Sequence, residues 1–132
     1  MKSQANTMKH NLLIVDDNEM MRSFLAHYFS RHYVVKTADG GTAAWQLLDN
    51  GYFPDLILLD LRMPDIDGLD LLKQLKCSVI FNDIPVIIVS SIAKSAEKVA
   101  CLQAGAADYI TKPFNPKEVE MRIQYHLKLN RV

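Results

Sequence analysis

The stretch DLILLDLRMPDIDG, residues 55–68, places an unbroken apolar run directly before a carboxylate and a chain break. Leu56 to Leu59 form the run, Asp60 follows it, and Pro64 and Gly68 interrupt the backbone soon after. An apolar run without alternation is typical of a strand that is covered on both faces, as in a parallel sheet. The pattern therefore predicts a buried parallel strand that ends by presenting Asp60 at the edge of the sheet.

Four further apolar runs repeat this pattern along the chain: LLIV at 12–15, VV at 34–35, VIIV at 86–89 and YI at 109–110. The apolar spacing between them predicts helices over 18–31, 42–51, 68–76 and 93–105, and a last helix from 115. Strands that alternate with single helices build parallel sheets, because each connection must cross over to the next strand. The sequence thus predicts a doubly wound α/β domain with a five-stranded parallel sheet.

The composition is that of one ordinary globular domain. The 132 residues are 49% hydrophobic and 23% charged, and 15 basic residues balance 15 acidic ones. Zero net charge argues against direct binding of nucleic acid, and no apolar run approaches the roughly 20 residues of a membrane span. The polar N-terminus is no signal peptide, so residues 1–10 are expected to form a flexible tail and residues 11–132 the domain.

The two cysteines, Cys77 and Cys101, show neither a CxxC spacing nor a cluster of histidines around them. They are interpreted as reduced structural thiols, which is their usual state in the cytoplasm. A cytoplasmic protein is therefore expected.

Polar residues follow four of the five predicted strands. Asp16 and Asp17 come after the first strand, Asp60 after the third, Ser90 after the fourth and Lys112 after the fifth. Taken alone, each has an ordinary structural explanation: a helix cap, a turn residue such as those in PDIDG, a strand-end hydroxyl or a surface lysine. Parallel strands bring their carboxyl ends to one edge, where ligands bind in such sheets, so the set favours a shared site.

The chemistry of this set points to phosphoryl transfer. Three adjacent carboxylates raise one another's pKa unless a cation neutralises them, and oxygen ligands suit Mg²⁺. No cluster of histidine and cysteine in the sequence suggests zinc. A divalent ion beside Asp60, with Lys112 and Ser90 opposite, would form a cradle for a phosphoryl group that a carboxylate can accept.

Four motifs together resemble the receiver domain of two-component response regulators, the CheY-like family. They are LLIVDDNE, DLILLDLRMPDIDG, IPVIIVSS and GAADYITKPF, and the resemblance covers about Asn11 to Leu127. The resemblance implies a flavodoxin-like (βα)5 fold with strand order 2-1-3-4-5. It also implies a signalling domain, not an enzyme, that accepts a phosphoryl group from a sensor histidine kinase, a phosphotransfer protein or a small phosphodonor.

The resemblance assigns the metal and acceptor roles as follows. Asp60 corresponds to the phosphoacceptor, and Asp17 to a direct ligand of Mg²⁺, for which Mn²⁺ can substitute. Asp16 corresponds to a ligand that acts mainly through metal-bound water. The backbone carbonyl of Arg62 would complete the protein's share of the metal shell.

The resemblance assigns a second set of residues to the phosphoryl group and the switch. Ser90 corresponds to the hydroxyl that binds a phosphoryl oxygen, although threonine is commoner there, and Lys112 to its ion-pair partner. The Lys112–Pro113 bond corresponds to a cis peptide, and Tyr109 to an aromatic residue that turns inward on activation. Arg62 and Ile92 flank the acceptor and are expected to set how fast the acyl phosphate hydrolyses.

Three alternatives remain beside this interpretation. A haloacid-dehalogenase-like phosphatase would need a general acid two residues after Asp60, where the chain has Arg62. A nucleotide-binding module would need a glycine-rich phosphate loop, which the sequence lacks. A pseudo-receiver that works without phosphorylation usually loses one of the acidic or lysine positions, and this chain keeps them all.

The expected readers of the phosphoryl group are an output protein, a fused output domain or a second copy of the chain in a phosphorylation-dependent homodimer. They would contact the surface of the fourth helix, fifth strand and fifth helix. The last helix is expected to continue apolar surface, which favours a receiver that belongs to a longer regulator over a standalone one; the residues are Met121, Tyr125, Leu127 and Leu129.

Overall fold

The computed structural model describes residues 9–129, in which five strands alternate with five helices. The strands are β1 (Asn11–Val15), β2 (Val34–Ala38), β3 (Leu56–Leu59), β4 (Val86–Ser90) and β5 (Asp108–Thr111). The helices are α1 (Glu19–Phe29), α2 (Gly41–Asp49), α3 (Gly68–Lys76), α4 (Ser95–Gln103) and α5 (Pro116–Leu129). Every predicted apolar run lies inside a strand, and every predicted helical segment overlaps a helix.

All five strands are parallel and lie in the order β2-β1-β3-β4-β5. In the centre, Val15 of β1 lies opposite Ala38 and Leu59, and Ser90 of β4 lies opposite Thr111. The predicted α/β class is confirmed, and so is the flavodoxin-like strand order that the resemblance implied. Because the strands share one direction, their last residues meet along one side of the sheet, called here the carboxyl edge.

Two hydrophobic clusters cover the two faces of the sheet. In β1, Leu13 and Val15 join the cluster under α2, α3 and α4, whereas Leu12 and Ile14 join the cluster under α1 and α5. Each such side chain contributes about 1.5–3 kcal/mol when it is fully buried. The alternation explains why the β1, β3 and β4 sequences are continuously apolar: both faces of these strands are covered.

The strand β2 departs from this expectation. The apolar pair at 34–35 predicted cover on both faces, but Val34 is 47% exposed, and Lys36 and Thr37 are exposed as well. The prediction was wrong because β2 is the first strand of the sheet order and pairs only with β1 among the strands described. A two-residue apolar run does not distinguish an edge strand from a central one.

Helix ends follow local sequence signals. Helix α1 begins after Asn18, whose side chain accepts a hydrogen bond from the Met21 N–H at 2.9 Å. The chain leaves α2 and α4 through Gly51 and Gly105, whose φ values of 98° and 109° strain other residues. These boundaries fix where each strand resumes and therefore which side chains reach the carboxyl edge.

The predicted tail over residues 1–10 lies mostly outside the described residues. Within it, the His10 carbonyl accepts a hydrogen bond from the Val34 N–H at 2.9 Å and so extends the contact between β1 and β2. None of the helices between residues 9 and 129 has the length and apolar character that crossing a bilayer requires.

Candidate functional site

Three carboxylates converge at the carboxyl edge of β1 and β3. Asp16 and Asp17 follow β1, and Asp60 follows β3, which is paired with β1 up to Val15 and Leu59. One oxygen of each carboxylate lies within 4.8 Å of the other two. Asp16 and Asp60 are buried, whereas Asp17 is exposed, so the cluster is open to solvent on one side. The arrangement can hold a cation between the strands.

Backbone hydrogen bonds fix this cluster. The Asp60 N–H donates to the Val15 carbonyl at 2.9 Å, and the Asp16 N–H donates to the Ala38 carbonyl at 3.1 Å. The Asp16 carboxylate accepts from the Asn18 N–H at 2.9 Å, and its own carbonyl accepts from the Arg22 guanidinium at 2.8 Å. Both buried carboxylates therefore occupy positions that the sheet pairing defines.

Asp17 does not cap helix α1, which was its ordinary structural explanation. The sequence allowed Asp17 to be the helix cap, but the side chain that accepts the Met21 N–H is that of Asn18. Asp17 instead lines a cavity of about 590 Å³ beside the carboxylate cluster. Its carboxylate is accordingly placed for a ligand and not for the helix.

Lys112 supplies the positive charge of the site. Its Nζ lies 3.1 Å from Asp16 Oδ2 and 3.9 Å from Asp60 Oδ1. The Lys112 N–H donates to the Ser90 carbonyl at 2.8 Å, and the following peptide bond to Pro113 is cis. A single ammonium thus lies between two buried carboxylates.

The electrostatics of Asp60 show that one lysine does not balance the cluster. Burial, assisted by the negative charges of Asp16 and Asp17, raises the pKa of Asp60 to about 6. The charge of Lys112 and a hydrogen bond from the Leu61 backbone act in the opposite direction and are outweighed. Three oxygen donors with excess negative charge are the ligand set of a hard divalent cation, so the residues fit Mg²⁺.

Ser90 and Tyr109 meet at the loop between β4 and α4. The buried Ser90 Oγ accepts a hydrogen bond from the Ile92 N–H at 3.2 Å. The Tyr109 hydroxyl donates to the Ile92 carbonyl at 2.5 Å, and its ring packs against the hydrophobic cluster on that face. Burial raises the pKa of Tyr109, and the neighbouring Ser90 hydroxyl partly offsets this. Both side chains therefore bind the backbone of the same residue, Ile92, Ser90 at its N–H and Tyr109 at its carbonyl.

The cavity next to the carboxylates lies between the β3–α3 and β4–α4 loops. Arg62 and Ile92, one from each loop, both line it. The remaining lining residues are Asp17, Leu61, Met63, Pro64, Asp67, Leu69 and Glu97. The two loops thus contribute one side chain each to a cavity that Asp17 of the carboxylate cluster also lines.

Gly68 explains why the chain breaks so soon after Asp60. A Cβ at this position would lie 2.3 Å from the Asp60 carbonyl oxygen and 2.6 Å from the Leu61 Cα. The Gly68 N–H donates to the Leu61 carbonyl at 2.8 Å, so the start of α3 folds back onto the end of β3. This close return holds the start of α3 against the backbone of Asp60 and Leu61.

Two polar roles were missed by sequence reasoning. Asp65 was interpreted as a local turn residue, yet its carboxylate accepts hydrogen bonds from the start of α2. Glu97 received no role, yet it lines the cavity from α4. Neither role has a local signal, because each depends on how distant segments pack.

Comparison with known proteins assigns the family. The response regulator receiver domain family matches residues 12–124. The chain therefore belongs to the response regulator receiver domains, of the CheY-like kind. It is 34% identical to the chemotaxis protein CheY1 of Helicobacter pylori over 121 residues, which cover 90% of this chain and 98% of that protein.

A solved structure and a longer relative extend this result. The Francisella response regulator 1452 receiver domain has a TM-score of 0.86 and 31% identity, with 93% of this chain and 100% of that chain covered. A protein-glutamate methylesterase/protein-glutamine glutaminase of Treponema pallidum is 41% identical over 128 residues, which cover 89% of this chain but 30% of that protein. Most of that relative, whose name is that of an enzyme, lies outside the match.

Proposed function

We propose that Asp60 accepts a phosphoryl group from a histidine kinase, a phosphotransfer protein or a small phosphodonor in a reaction that requires Mg²⁺. One observation carries the proposal. Asp16, Asp17 and Asp60 approach one another within 4.8 Å at the carboxyl edge, and the Lys112 ammonium lies 3.1 Å from Asp16 and 3.9 Å from Asp60. This combination of crowded carboxylates and one cation suits a divalent ion and a phosphoryl group together.

The residues divide the metal shell among them. Asp17, Asp60 and the backbone carbonyl of Arg62 would hold Mg²⁺ directly, and Asp16 would act through metal-bound water. When bound, Mg²⁺ supplies positive charge that neutralises the phosphoryl oxygens. The raised pKa of Asp60 supports this, because a buried carboxylate whose ionised form is disfavoured is stabilised by a bound cation. Mn²⁺ has similar ligand preferences and is expected to substitute.

The transfer itself is a displacement at phosphorus. An Asp60 carboxylate oxygen forms the new bond to phosphorus, and the bond from phosphorus to the donor atom breaks with its electron pair leaving on the donor. A pKa of about 6 leaves Asp60 mostly ionised at pH 7, as a nucleophile must be. The Lys112 ammonium and the Ser90 hydroxyl then bind phosphoryl oxygens of the resulting acyl phosphate.

The phosphoryl group switches a surface some distance from Asp60. It adds about −1.5 to −2 of charge, which attracts the Ser90 hydroxyl. Ser90 binds the Ile92 N–H and Tyr109 binds the Ile92 carbonyl, so a shift of Ser90 disturbs the residue that also holds Tyr109. The affected face comprises α4, β5 and α5 and exposes apolar side chains, including Leu102 and Met121. We infer that an output protein, a fused output domain or a second copy binds this face.

We place this reaction in the cytoplasm. Cys77 and Cys101 are both free thiols, and Cys77 is exposed. Exposed thiols persist in reducing compartments, where sensor kinases present their phosphoryl groups.

Phosphorylation of the intact chain tests the acceptor. With acetyl phosphate and Mg²⁺, intact-mass measurement should show one adduct that hydroxylamine removes and chelation of Mg²⁺ prevents. The Asp60→Asn variant should take up none, and uptake at the wild-type rate would exclude Asp60 as acceptor. A pseudo-receiver would form no adduct at all. A phosphatase would hydrolyse many donor molecules per chain without a need for a lasting adduct.

Beryllofluoride, a phosphoryl mimic, tests the switch. Crystal structures of the Mg²⁺ complex with and without the mimic should differ at two side chains. We expect the Ser90 hydroxyl to move toward the mimic and the Tyr109 ring to turn inward into the space that Ser90 vacates. Identical Ser90 and Tyr109 rotamers in both structures, with unchanged self-association, would show that the surface is switched in another way.

A further inference from the structure

Asp65 caps a helix that is distant from it in sequence. Its Oδ2 accepts a hydrogen bond from the Thr42 N–H at 2.8 Å, and its Oδ1 accepts one from the Gly41 N–H at 3.2 Å. Oδ1 also accepts from the Ile66 N–H at 2.7 Å. The carboxylate thus joins the first turn of α2 to the middle of the β3–α3 loop, where both negative charge and acceptors are favourable.

The turn before α2 is built to admit this carboxylate. Gly40 is the residue that precedes α2, and it offers no side chain to cap the helix. A Cβ on Gly40 would lie 2.7 Å from Asp65 Oδ1 and 2.9 Å from Asp65 Oδ2. The φ of Gly40 is 179°, which is extended backbone that any residue adopts, so glycine serves here to leave space.

The tether holds the loop that follows the phosphoacceptor. The loop starts at Asp60, passes through Arg62 and is closed at its far end by the hydrogen bond from Gly68 to Leu61. Asp65 hydrogen-bonds the intervening segment to the first turn of α2. Hydrogen bonds from the Thr42 and Ile66 backbones keep the pKa of Asp65 far below its usual range, so the tether stays ionised at neutral pH.

We propose that Asp65 is a positioning residue for the metal site: its bond to the α2 N-terminus fixes the β3–α3 loop, which carries the Arg62 carbonyl proposed to bind Mg²⁺. This inference rests on the proposed function, because it assigns Asp65 an effect on the binding of Mg²⁺. Asp65 itself contacts neither the metal nor the phosphoryl group. Its removal should therefore weaken Mg²⁺ binding without abolishing it.

Calorimetric titration of the full chain with Mg²⁺ tests the inference. We expect Asp65→Ala to weaken Mg²⁺ binding about tenfold, the lower end of the effect of removing residues that orient a metal ligand. Asp65→Asn retains an acceptor oxygen and should restore part of the affinity. Ser78→Ala is the matched control, because Ser78 Oγ also accepts two backbone N–H groups, from Ile80 and Phe81, but in the α3–β4 loop at the opposite edge.

A double-mutant cycle separates positioning from a general loss of stability. Gly40→Ala should displace the Asp65 carboxylate and weaken Mg²⁺ binding in the wild-type chain, yet have little further effect in the Asp65→Ala chain. Additive effects, an unchanged Mg²⁺ dissociation constant in Asp65→Ala, or an equal loss in Ser78→Ala would each overturn the inference while leaving the phosphoacceptor proposal intact. A wild-type chain that binds no Mg²⁺ would overturn both.

Discussion

The two loops that border the Asp60 carboxylate are held in different ways. The β3–α3 loop is bound to α2 through Asp65 and to the end of β3 through Gly68, and Asp67 accepts a hydrogen bond from the first turn of α3. The β4–α4 loop is held at Ile92, by Ser90 on its N–H and Tyr109 on its carbonyl. One loop is thus attached to the scaffold, and the other is attached to the two residues of the proposed switch.

The helices that follow the two loops differ in the same direction. Helix α3 buries Gly68 and three leucines, and it begins with a side-chain cap from Asp67. Helix α4 buries only Cys101 among its nine residues. The residue before it, Lys94, makes no side-chain cap hydrogen bond. Few buried contacts and an uncapped end mark the less stable segment of a fold. Under the proposed function, Mg²⁺ would bind beside the more firmly attached loop, and the response would pass through the loop that has fewer attachments.

Gly68→Ala should break the fixed loop with the largest effect. The new Cβ would meet the Asp60 carbonyl oxygen at 2.3 Å and the Leu61 Cα at 2.6 Å, both backbone atoms that side-chain rotation cannot move. We expect the free energy of unfolding to fall by about 3 kcal/mol or more, measured by urea denaturation. Gly51→Ala is the control, since Gly51 has a φ of 98° but no neighbour within 4 Å, and it should cost only about 1 to 2 kcal/mol. Equal losses in the two variants would contradict the close approach.

Asp60→Asn should stabilise the Mg²⁺-free protein at neutral pH. Burial raises the pKa of Asp60 from 3.8 to about 6, so the folded state favours the protonated acid. The stability that this proton provides is complete below about pH 4 and is lost as the pH rises through about 6. The shift of about two pKa units corresponds to about 3 kcal/mol. The variant should exceed wild type by about this amount at pH 7.5.

Urea denaturation of both proteins between pH 4 and pH 7.5 measures this difference. The gap should close toward pH 4, where Asp60 is protonated, and should also narrow when Mg²⁺ stabilises the wild type by binding. If the difference in unfolding free energy does not depend on pH, the pKa of Asp60 is not raised by burial in the folded protein.

Tyr109→Phe should loosen the β4–α4 loop and leave the β3–α3 loop unchanged. The variant loses the hydrogen bond to the Ile92 carbonyl, which is worth about 1 kcal/mol. Amide hydrogen exchange should become faster at Ile92 and in the first turn of α4, while the Mg²⁺ dissociation constant stays within about twofold of wild type. Tyr28→Phe is the matched control, because its hydroxyl bonds Glu120 between α1 and α5 at 3.2 Å. Faster exchange in α4 of that control would argue against a local effect.

The smallest effect should come from replacing Arg62 and Ile92, one residue from each loop. Arg62 and Ile92 both line the cavity beside Asp60, so their bulk limits the access of water to an acyl phosphate. Replacing both with alanine should shorten the lifetime of the phosphorylated protein about threefold, which equals about 0.6 kcal/mol in activation free energy. Loss of radiolabelled phosphate over time measures the decay. An unchanged decay rate would remove both residues from this role.

Much of this arrangement follows from local sequence. Polar residues after four apolar runs were enough to place Asp16, Asp60, Ser90 and Lys112 at one edge, because strand direction alone brings them there. The order of the strands came instead from the family resemblance. A crossover leaves no local signal of which neighbour it reaches, so periodicity could not supply it.

The parts that sequence could not supply depend on packing between distant segments. Asp65 does bond the adjacent Ile66 N–H, as a turn residue would, but its bonds to Gly41 and Thr42 need the tertiary fold. Asp17 and Asn18 are both good caps, and only the observed start of α1 decides that Asn18 is the one used. For Asp65 and for the cap of α1, the local sequence allowed two roles, and only the tertiary structure shows which one is used.

The exposed strand β2 has a consequence for how copies of the chain meet one another. An edge strand presents backbone N–H and C=O groups with which a second chain can extend the sheet, and this is a common route to aggregation. Lys36 stands at the centre of β2, with its ammonium 4.9 Å from the centroid of the Tyr52 ring. Two such strands laid side by side in register would bring like charges together. The charge of Lys36 therefore disfavours pairing of two copies of the chain through β2.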